Sequence, residues 1–311
     1  MHYIIGIDLG GTNLRVGLFD EKLQLKKKYI FSTKSFKDKE ALIGAIIDST
    51  KAILHKNALK LSQIWGVGLG LPGPVNYQKQ IVHFFPNIKG WRNVYLGDIL
   101  KEALGLEIFI DNDANLVCLA ETFLGIAKGY HNVVGVTLGT GVGGGLVLEG
   151  KIYRGTDFVA GEIGHIPLNE KGPLCNCTGR ACLESYIGSA KIMQEAKKVF
   201  KKEVSLEQLS MLAKKGNPKA IKIWQRVGER LGIVLSGVAN LLNPQAVVIA
   251  GGVSKAGRWL FEGIRKTIRE RAMPVAARRV KILKSYFKDD AGITGAALLV
   301  KMGVRKNVNF Y

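Results

Sequence analysis

The chain has 311 residues, 47% of them hydrophobic and 23% charged, which excludes a disordered or fibrous protein and, at about twice the usual single-domain length, points to two domains. Its formal net charge is +20, yet the basic residues stand singly or in short runs such as Lys26 to Lys28 and Lys201 to Lys202, so no specific nucleic-acid partner is expected. Residues 1–9 carry no basic region and reach Asp8, and the longest apolar stretch, 231–253, is broken by Asn240, Asn243, Pro244 and Gln245, so neither a secretory signal nor a membrane span is expected and the cytoplasm is the expected compartment.

Residues 3–8 read as an apolar strand, Gly10 and Gly11 as a turn, and 14–19 as a second strand. A helix is expected around 41–55, a strand at 64–69, and a strand at 108–111 leading into a helix over 116–125. The opening plan then returns: strand 133–138, a Gly/Thr-rich turn 139–145, strand 146–149. Helices follow at 190–200 and 218–240, then a strand at 246–250 that runs into Gly251 and Gly252 and a further helix. Arg278, Arg279, Lys281 and Lys284 alternate with apolar residues as in a half-exposed strand, and a helix over 291–302 closes the pattern. Alternating strands and helices give an α/β class, and the repeated hairpin gives two similarly built domains facing each other across a ligand.

The hairpin DLGGTN, residues 8–13, puts a carboxylate at a strand end beside glycine backbone. It reads either as a plain tight turn or as a phosphate-facing one, with N–H groups on phosphate oxygens and Asp8 holding hydrated Mg²⁺ through water. GTGVGG, residues 139–144, spells a dinucleotide fingerprint, but a strand follows where that motif requires a helix. Residues 145–151 mimic a P-loop with Ile152 in place of the Ser/Thr. What remains is a second phosphate-facing hairpin with Thr140 and nearby N–H groups as donors. The Gly251-Gly252 turn is either an ordinary α/β connection or a place for adenine or ribose against backbone.

DNDAN, residues 111–115, puts Asp113 at a helix N-terminus. It is either a cap or a base whose ionised form the helix dipole favours, with Asn112 beside it to hydrogen-bond a polyol. His165, nine residues, Cys175, one residue, Cys177, four residues, Cys182 supplies one imidazole and three thiolates, a closed tetrahedral set suited to structural Zn²⁺ in a reducing compartment. Glu162 and Glu184 flank these ligands, either as solvated surface groups or as rigid acceptors for sugar hydroxyls. Cys118, on an apolar helix face, is assigned to the core.

Taken in order, DLGGTN, GLPGPV at 70–75, PNIKGW at 86–91, DNDAN, TLGTGVGGG, GEIGH with its cysteines, and AGGV resemble the ROK family of the actin-like sugar kinase superfamily nearly end to end, and within it the glucokinases. The resemblance implies two actin-like (ribonuclease H-like) α/β domains flanking a cleft: a small one over 1–112, joined by the C-terminal helix at about 291–311, and a large one over 113–290 with the zinc site. It implies an ATP-dependent hexokinase-type phosphotransferase making glucose 6-phosphate, with Asp113 as base. Gly73, Asn87, Asn112, Glu162, His165 and Glu184 would hold the sugar, His165 placing one ring nitrogen on zinc and the other on a sugar hydroxyl. Asp8, Gly10, Gly11, Thr12, Gly139, Thr140 and Gly141 would face the phosphates and bridging Mg²⁺, with Gly251 and Gly252 on the nucleoside side. A homodimer or homotetramer is implied as well.

Fructose, mannose, N-acetylglucosamine or N-acetylmannosamine as acceptor, and polyphosphate as donor, remain open at this level. A non-catalytic sugar-sensing regulator is the rival from another class; family regulators carry an N-terminal DNA-binding domain, which a hairpin starting at Tyr3 is not expected to accommodate. Asn176, Thr178 and Ala181 depart from the family's glycine-rich cysteine loop, which bears on loop shape and the setting of Glu184.

Overall fold

The computed structural model describes residues 2–10, 13–32, 38–85 and 91–304. The chain divides into two compact units, one of Met1–Gly125, Tyr153–Ala160 and Asp289–Tyr311, the other of Ile126–Ile152 and Gly161–Lys288.

The first unit begins with β1 (Tyr3–Leu9), β2 (Asn13–Asp20) and β3 (Leu25–Ser32), followed by α1 (Lys39–Lys56) and β4 (Ile64–Leu71). Next come β5 (Val75–Asn76), β6 (Ile81–Phe84), β7 (Arg92–Val94), α2 (Leu96–Leu104), β8 (Ile108–Asn112) and α3 (Asp113–Phe123). The main sheet runs β3-β2-β1-β4-β8, with β1 antiparallel to β2 and parallel to β4, and β4 parallel to β8. β1 and β4 are covered on both faces, hence their near-continuous apolar sequences. The outer strand β3 carries Lys26, Lys27 and Lys28, charges that discourage pairing with a foreign strand. α1 is capped by Asp38, whose side chain accepts from Ala41 N, and buries Leu42, Ile46, Ile53 and Leu54 at helical spacing.

The second unit contains β9 (Val133–Leu138), β10 (Val142–Leu148), β11 (Lys151–Tyr153), α4 (Glu184–Ile187), α5 (Ser189–Phe200), α6 (Leu206–Lys214) and α7 (Pro218–Leu242). It continues with β12 (Ala246–Ala250), α8 (Arg258–Arg271), α9 (Pro274–Arg279) and β13 (Lys281–Lys284). Its sheet order, β11-β10-β9-β12-β13, reproduces that of the first unit, with the same antiparallel hairpin and parallel inner pairs. The repeated glycine hairpin is thus the visible part of a repeated sheet topology. α7 has Pro218 in its first turn and Asn217 as cap, and packs on α8 where Gly228 and Gly263 let the backbones touch.

Three local expectations change. The second glycine turn is confined to 139–141, because Val142 to Gly145 already pair with β9; a side chain on Gly144 would strike Gly161 O at 2.3 Å, so the glycines there serve close approach. Arg278 and Arg279 lie in α9, started by Pro274, and not in a strand. α3 begins at Asp113 rather than at 116, because Asn112 caps it.

The final helix, α10 (Ala291–Val304), returns to the first unit and beds into its sheet; residues 305–311 of the expected C-terminal segment lie outside the described residues. A Cβ on Gly6 would lie 2.2 Å from Ile293 O, one on Gly68 2.0 Å from Ala296 O, and one on Gly295 2.0 Å from Leu116 O. α3 is thereby tied to α10, and the division falls after Gly125 instead of at 112/113.

This packing separates two kinds of glycine. Gly68→Ala is expected to destabilise the protein by about 1–3 kcal/mol through overpacking. Gly237→Ala, in an α7 position with open space around it, is expected to stabilise by about 0.5–1 kcal/mol. Urea unfolding of both variants checks this, and equal shifts would contradict the close approach of α10.

Candidate functional site

In the first unit the site residues gather at the carboxyl ends of parallel strands, where open α/β sheets place ligands. Asp8 on β1 is in register with Gly70 on β4, and Gly70 with Asp111 on β8. A Cβ on Gly70 would sit 3.7 Å from Asp8 Oδ1 and 3.5 Å from the Cα of Asp113, so this glycine separates the two carboxylate-bearing positions.

Asp113 occupies the first turn of α3, with its Oδ1 accepting from Ala114 N at 2.8 Å. The cap is Asn112, whose Oδ1 accepts from Ala114 N and Asn115 N and whose Nδ2 donates to Gly73 O at 3.2 Å. Its oxygen is committed to the helix and one amide hydrogen to Gly73, which leaves the second amide hydrogen for a ligand. Gly73 takes φ +87°, a conformation that favours glycine, and so presents its carbonyl to Asn112.

Asp8 is partnered by Arg15, Nη1 to Oδ2 3.2 Å, directly across the β1–β2 hairpin. Its carboxylate lies against the first turn of α10, where a Cβ on Gly292 would come within 2.5 Å of Asp8 Cγ. Burial pushes the pKa of Asp8 above the usual carboxylate value, and the Arg15 charge and hydrogen bond offset this only in part. Gly10 N–H closes the turn on Asn13 O. Gly11, Thr12 and Asn87 lie outside the described residues.

The second unit carries a parallel arrangement. The 139–141 turn follows β9, and Gly251 follows the adjacent parallel strand β12. Gly251 takes φ +84°, and a Cβ there would lie 2.3 Å from Leu138 O, so the two turns meet through backbone; Gly252 faces open space. Glu184 is built into this side: its Oε2 accepts from Val142 N at 2.9 Å, and a Cβ on Gly141 would collide with it. Thr140 is exposed, its carbonyl near Gly188.

His165, Cys175, Cys177 and Cys182 converge with their ligand atoms within 4.8 Å of one another. Cys175 Sγ is 3.7 Å from His165 Nδ1, and Cys177 Sγ is 3.6 Å from Cys182 Sγ. For metal–sulfur bonds of about 2.3 Å, a tetrahedron has edges of roughly 3.8 Å, so the donors stand at coordination spacing. Burial raises the Cys175 thiol, but the Cys177 N–H with the Ser185, Cys177 and His165 side chains outweigh it and bring the pKa to about 7. Burial and the two neighbouring sulfurs push Cys182 up to about 12. A cation held at the centre would relieve that crowding of thiolates. Thr178 and Ala181, two of the non-glycine departures, take φ +71° and +57°, so the loop keeps a left-handed path at the cost of strain.

His165 presents its other nitrogen, Nε2, 3.8 Å from Glu162 Oε2. Glu162 is 43% exposed, yet the surrounding protein raises its pKa by desolvation, with His165 opposing and Glu184 reinforcing the shift. Cys118 is fully buried in α3, in keeping with a core role.

Four residues that sequence reading does not single out shape these sites: Arg15, Gly70, Gly292 and Arg154. The register of the first hairpin carries a signal for Arg15, the cross-strand partner of Asp8. Gly292 and Arg154 act across long chain separations and carry none.

The raised pKa of Asp8 has a definite sign. The native protein ionises Asp8 later than the unfolded chain does, so this group costs nothing below the ordinary carboxylate pKa and subtracts stability as pH rises through the native value. Asp8→Asn is expected to unfold at a higher temperature than the parent at pH 7, with the gap closing toward pH 3; a gap independent of pH would refute the assignment.

Residues 4–302 match the ROK family. The chain is 33% identical to a glucokinase of Thermotoga maritima, covering 96% of this chain and 97% of that one. It is similar to the crystal structure of a ROK family glucokinase from Streptomyces griseus in complex with glucose and AMPPNP, with TM-score 0.83 and 29% identity over 96% of this chain and 98% of the other. It is also similar to a ROK family transcriptional regulator, a homolog of the E. coli MLC protein, with TM-score 0.89 and 26% identity over 97% of this chain and 78% of that one. The sheets described above are those of the actin-like ATPase fold, and the chain belongs to the ROK family.

Proposed function

We propose that the chain is an ATP-dependent sugar kinase that transfers the γ-phosphoryl of ATP to a hexose, with glucose as acceptor and glucose 6-phosphate as product. The observation that carries this reading is the placement of Asp113 in the first turn of α3, beside Asp8 at the carboxyl ends of parallel strands. The glucokinase relatives and the nucleotide-bound and glucose-bound neighbour support it.

In this reading Asp113 takes the proton of the attacking hydroxyl. Its Oδ1 is oriented by the Ala114 N–H at the start of α3. Asn112 holds α3 and Gly73 in place and offers its second amide hydrogen to a sugar hydroxyl. Glu162, Glu184 through its Oε1, and His165 through its Nε2 accept or donate hydrogen bonds to sugar hydroxyls. Thr140 and Gly141 offer N–H groups to phosphate, Gly10 and Gly139 shape the two turns that face it with their own N–H groups closing those turns, and Gly251 and Gly252 face the nucleoside. Mg²⁺, when bound, neutralises phosphate charge, and Asp8 is the carboxylate suited to hold its water. Zn²⁺ on His165, Cys175, Cys177 and Cys182 is structural, since all four positions are filled by protein. Its thiolate ligands suit a reducing compartment, hence the cytoplasm.

ADP release from Mg-ATP with glucose, mannose, fructose, N-acetylglucosamine and N-acetylmannosamine tests the reading. Glucose is expected to give the largest kcat/KM, and Asp113→Asn to lower kcat by about 10²–10⁴-fold with sugar affinity changed only a few-fold. No turnover with any sugar would overturn it in favour of a sugar-sensing role.

The metal assignment has a separate check. Elemental analysis of the purified parent is expected to find one zinc per chain, and Cys177→Ala to lose it together with several degrees of thermal stability. Retention of zinc by the variant would sink the four-ligand site.

A further inference from the structure

The tightest ion pair described in the first unit involves neither the proposed base nor the phosphate side. Arg154 donates from Nε and Nη2 to Asp111 Oδ2, at 2.8 and 2.5 Å, with the two side chains only 11% and 2% exposed. The guanidinium also stacks on Tyr77, 3.9 Å from the ring centroid, and Tyr77 meets Phe158 edge-on at 5.3 Å. Arg154 O accepts from Ala160 N at 3.0 Å, closing the segment that carries both Arg154 and Phe158. The arginine is thus held by hydrogen bonds at its edge and by an aromatic ring on its face, an arrangement that lysine cannot reproduce.

The other oxygen of Asp111 leads toward the base. Asp111 Oδ1 accepts from Asn112 N at 2.8 Å and from Asn115 Nδ2 at 3.0 Å. Asn112 in turn caps α3 through Ala114 N and Asn115 N and reaches Gly73 O. Asn112, Ala114 and Asn115 are therefore tied, directly or through their backbone, to the carboxylate that Arg154 holds or to the cap beside it. Asp113 sits in the middle of that clamp.

We propose that Arg154 is a positioning residue for phosphoryl transfer: by clamping Asp111 it sets the path of residues 111–115 and so the direction in which Asp113 presents its carboxylate. The inference rests on Asp113 being the base. A carboxylate displaced by about 1 Å from its productive position loses on the order of 10²-fold in rate, whereas substrate binding elsewhere is little affected. Loss of the clamp therefore acts on kcat and leaves KM for ATP near its parent value.

The test uses the full chain with three variants. Arg154→Lys keeps the charge and loses the fork and the stack; Tyr77→Leu removes the stack alone; Arg154→Ala removes everything and is read only if it folds. Arg154→Lys is expected to unfold within a few degrees of the parent, to lower kcat at saturating glucose by about 10–100-fold, and to change KM for ATP less than threefold. Tyr77→Leu is expected to show the same kcat-selective loss at smaller size. If Arg154→Lys folds and keeps kcat within twofold while Asp113→Asn is inactive, the positioning role is overturned and the base stands. If Asp113→Asn keeps full turnover, the base assignment and the positioning role fall together. Loss in KM rather than kcat would assign Arg154 to binding and likewise overturn the proposal.

Discussion

Glycines at 6, 68, 292 and 295 let the backbone of α10 lie against β1, β4, α3 and the Asp8 carboxylate, and at each of them an added Cβ would come within 2.5 Å of another atom. Strands β1 and β4 are thus locked to α10, and α3 is locked to the same helix through Leu116. Asp8 ends one of these strands and Asp113 begins α3. The separation of the two carboxylates therefore follows from main-chain packing, which is stiffer than any contact between side-chain tips. Because the helix presents its N-terminus toward Asp8, the same packing supplies a favourable dipole beside a partly buried carboxylate.

Two carboxylates in this unit, Asp111 buried and Asp8 partly so, are treated differently. Asp111 receives four hydrogen bonds, two of them from a guanidinium, and leaves nothing free for chemistry. Asp8 has one arginine contact and a pKa raised by burial. A fold optimised for stability alone would satisfy both, and Asp8 is left short of compensation. In the second unit Glu184 performs an intermediate duty, with one oxygen fastening the 139–142 backbone two residues beyond the last thiol ligand. The cysteine loop and the glycine turn are therefore one mechanical piece.

The left-handed Thr178 and Ala181 fit that view. Non-glycine residues at positive φ persist where their surroundings over-determine the backbone. Here the surroundings are the Cys175 N–H to Gly179 O bond, the Thr178 N–H to Cys175 O bond and the convergence of four ligand atoms. Tertiary contacts rather than local propensity therefore hold these two residues at positive φ.

How much of this is legible in the sequence depends on the distance over which each feature acts. The strands at 3–8, 64–69, 108–111 and 246–250, the long helices, the repeated glycine hairpin and the Cys/His spacing are encoded by neighbours within a few residues, and their composition shows them directly. The sequence also identified the carboxylates and glycines that line the strand ends. It did not show that Asn112, rather than Asp113, caps α3, because both residues are good caps and only the backbone angles choose between them. Nor did it show that Gly143 to Gly145 lie inside a strand, because glycine marks a turn and a close approach equally well. The pairing of Arg154 with Asp111 across 43 residues, the placement of Gly292 against Asp8, and the grip of Glu184 on Val142 are decided only when the chain packs, since nothing local distinguishes a clamping arginine or a making-room glycine from any other.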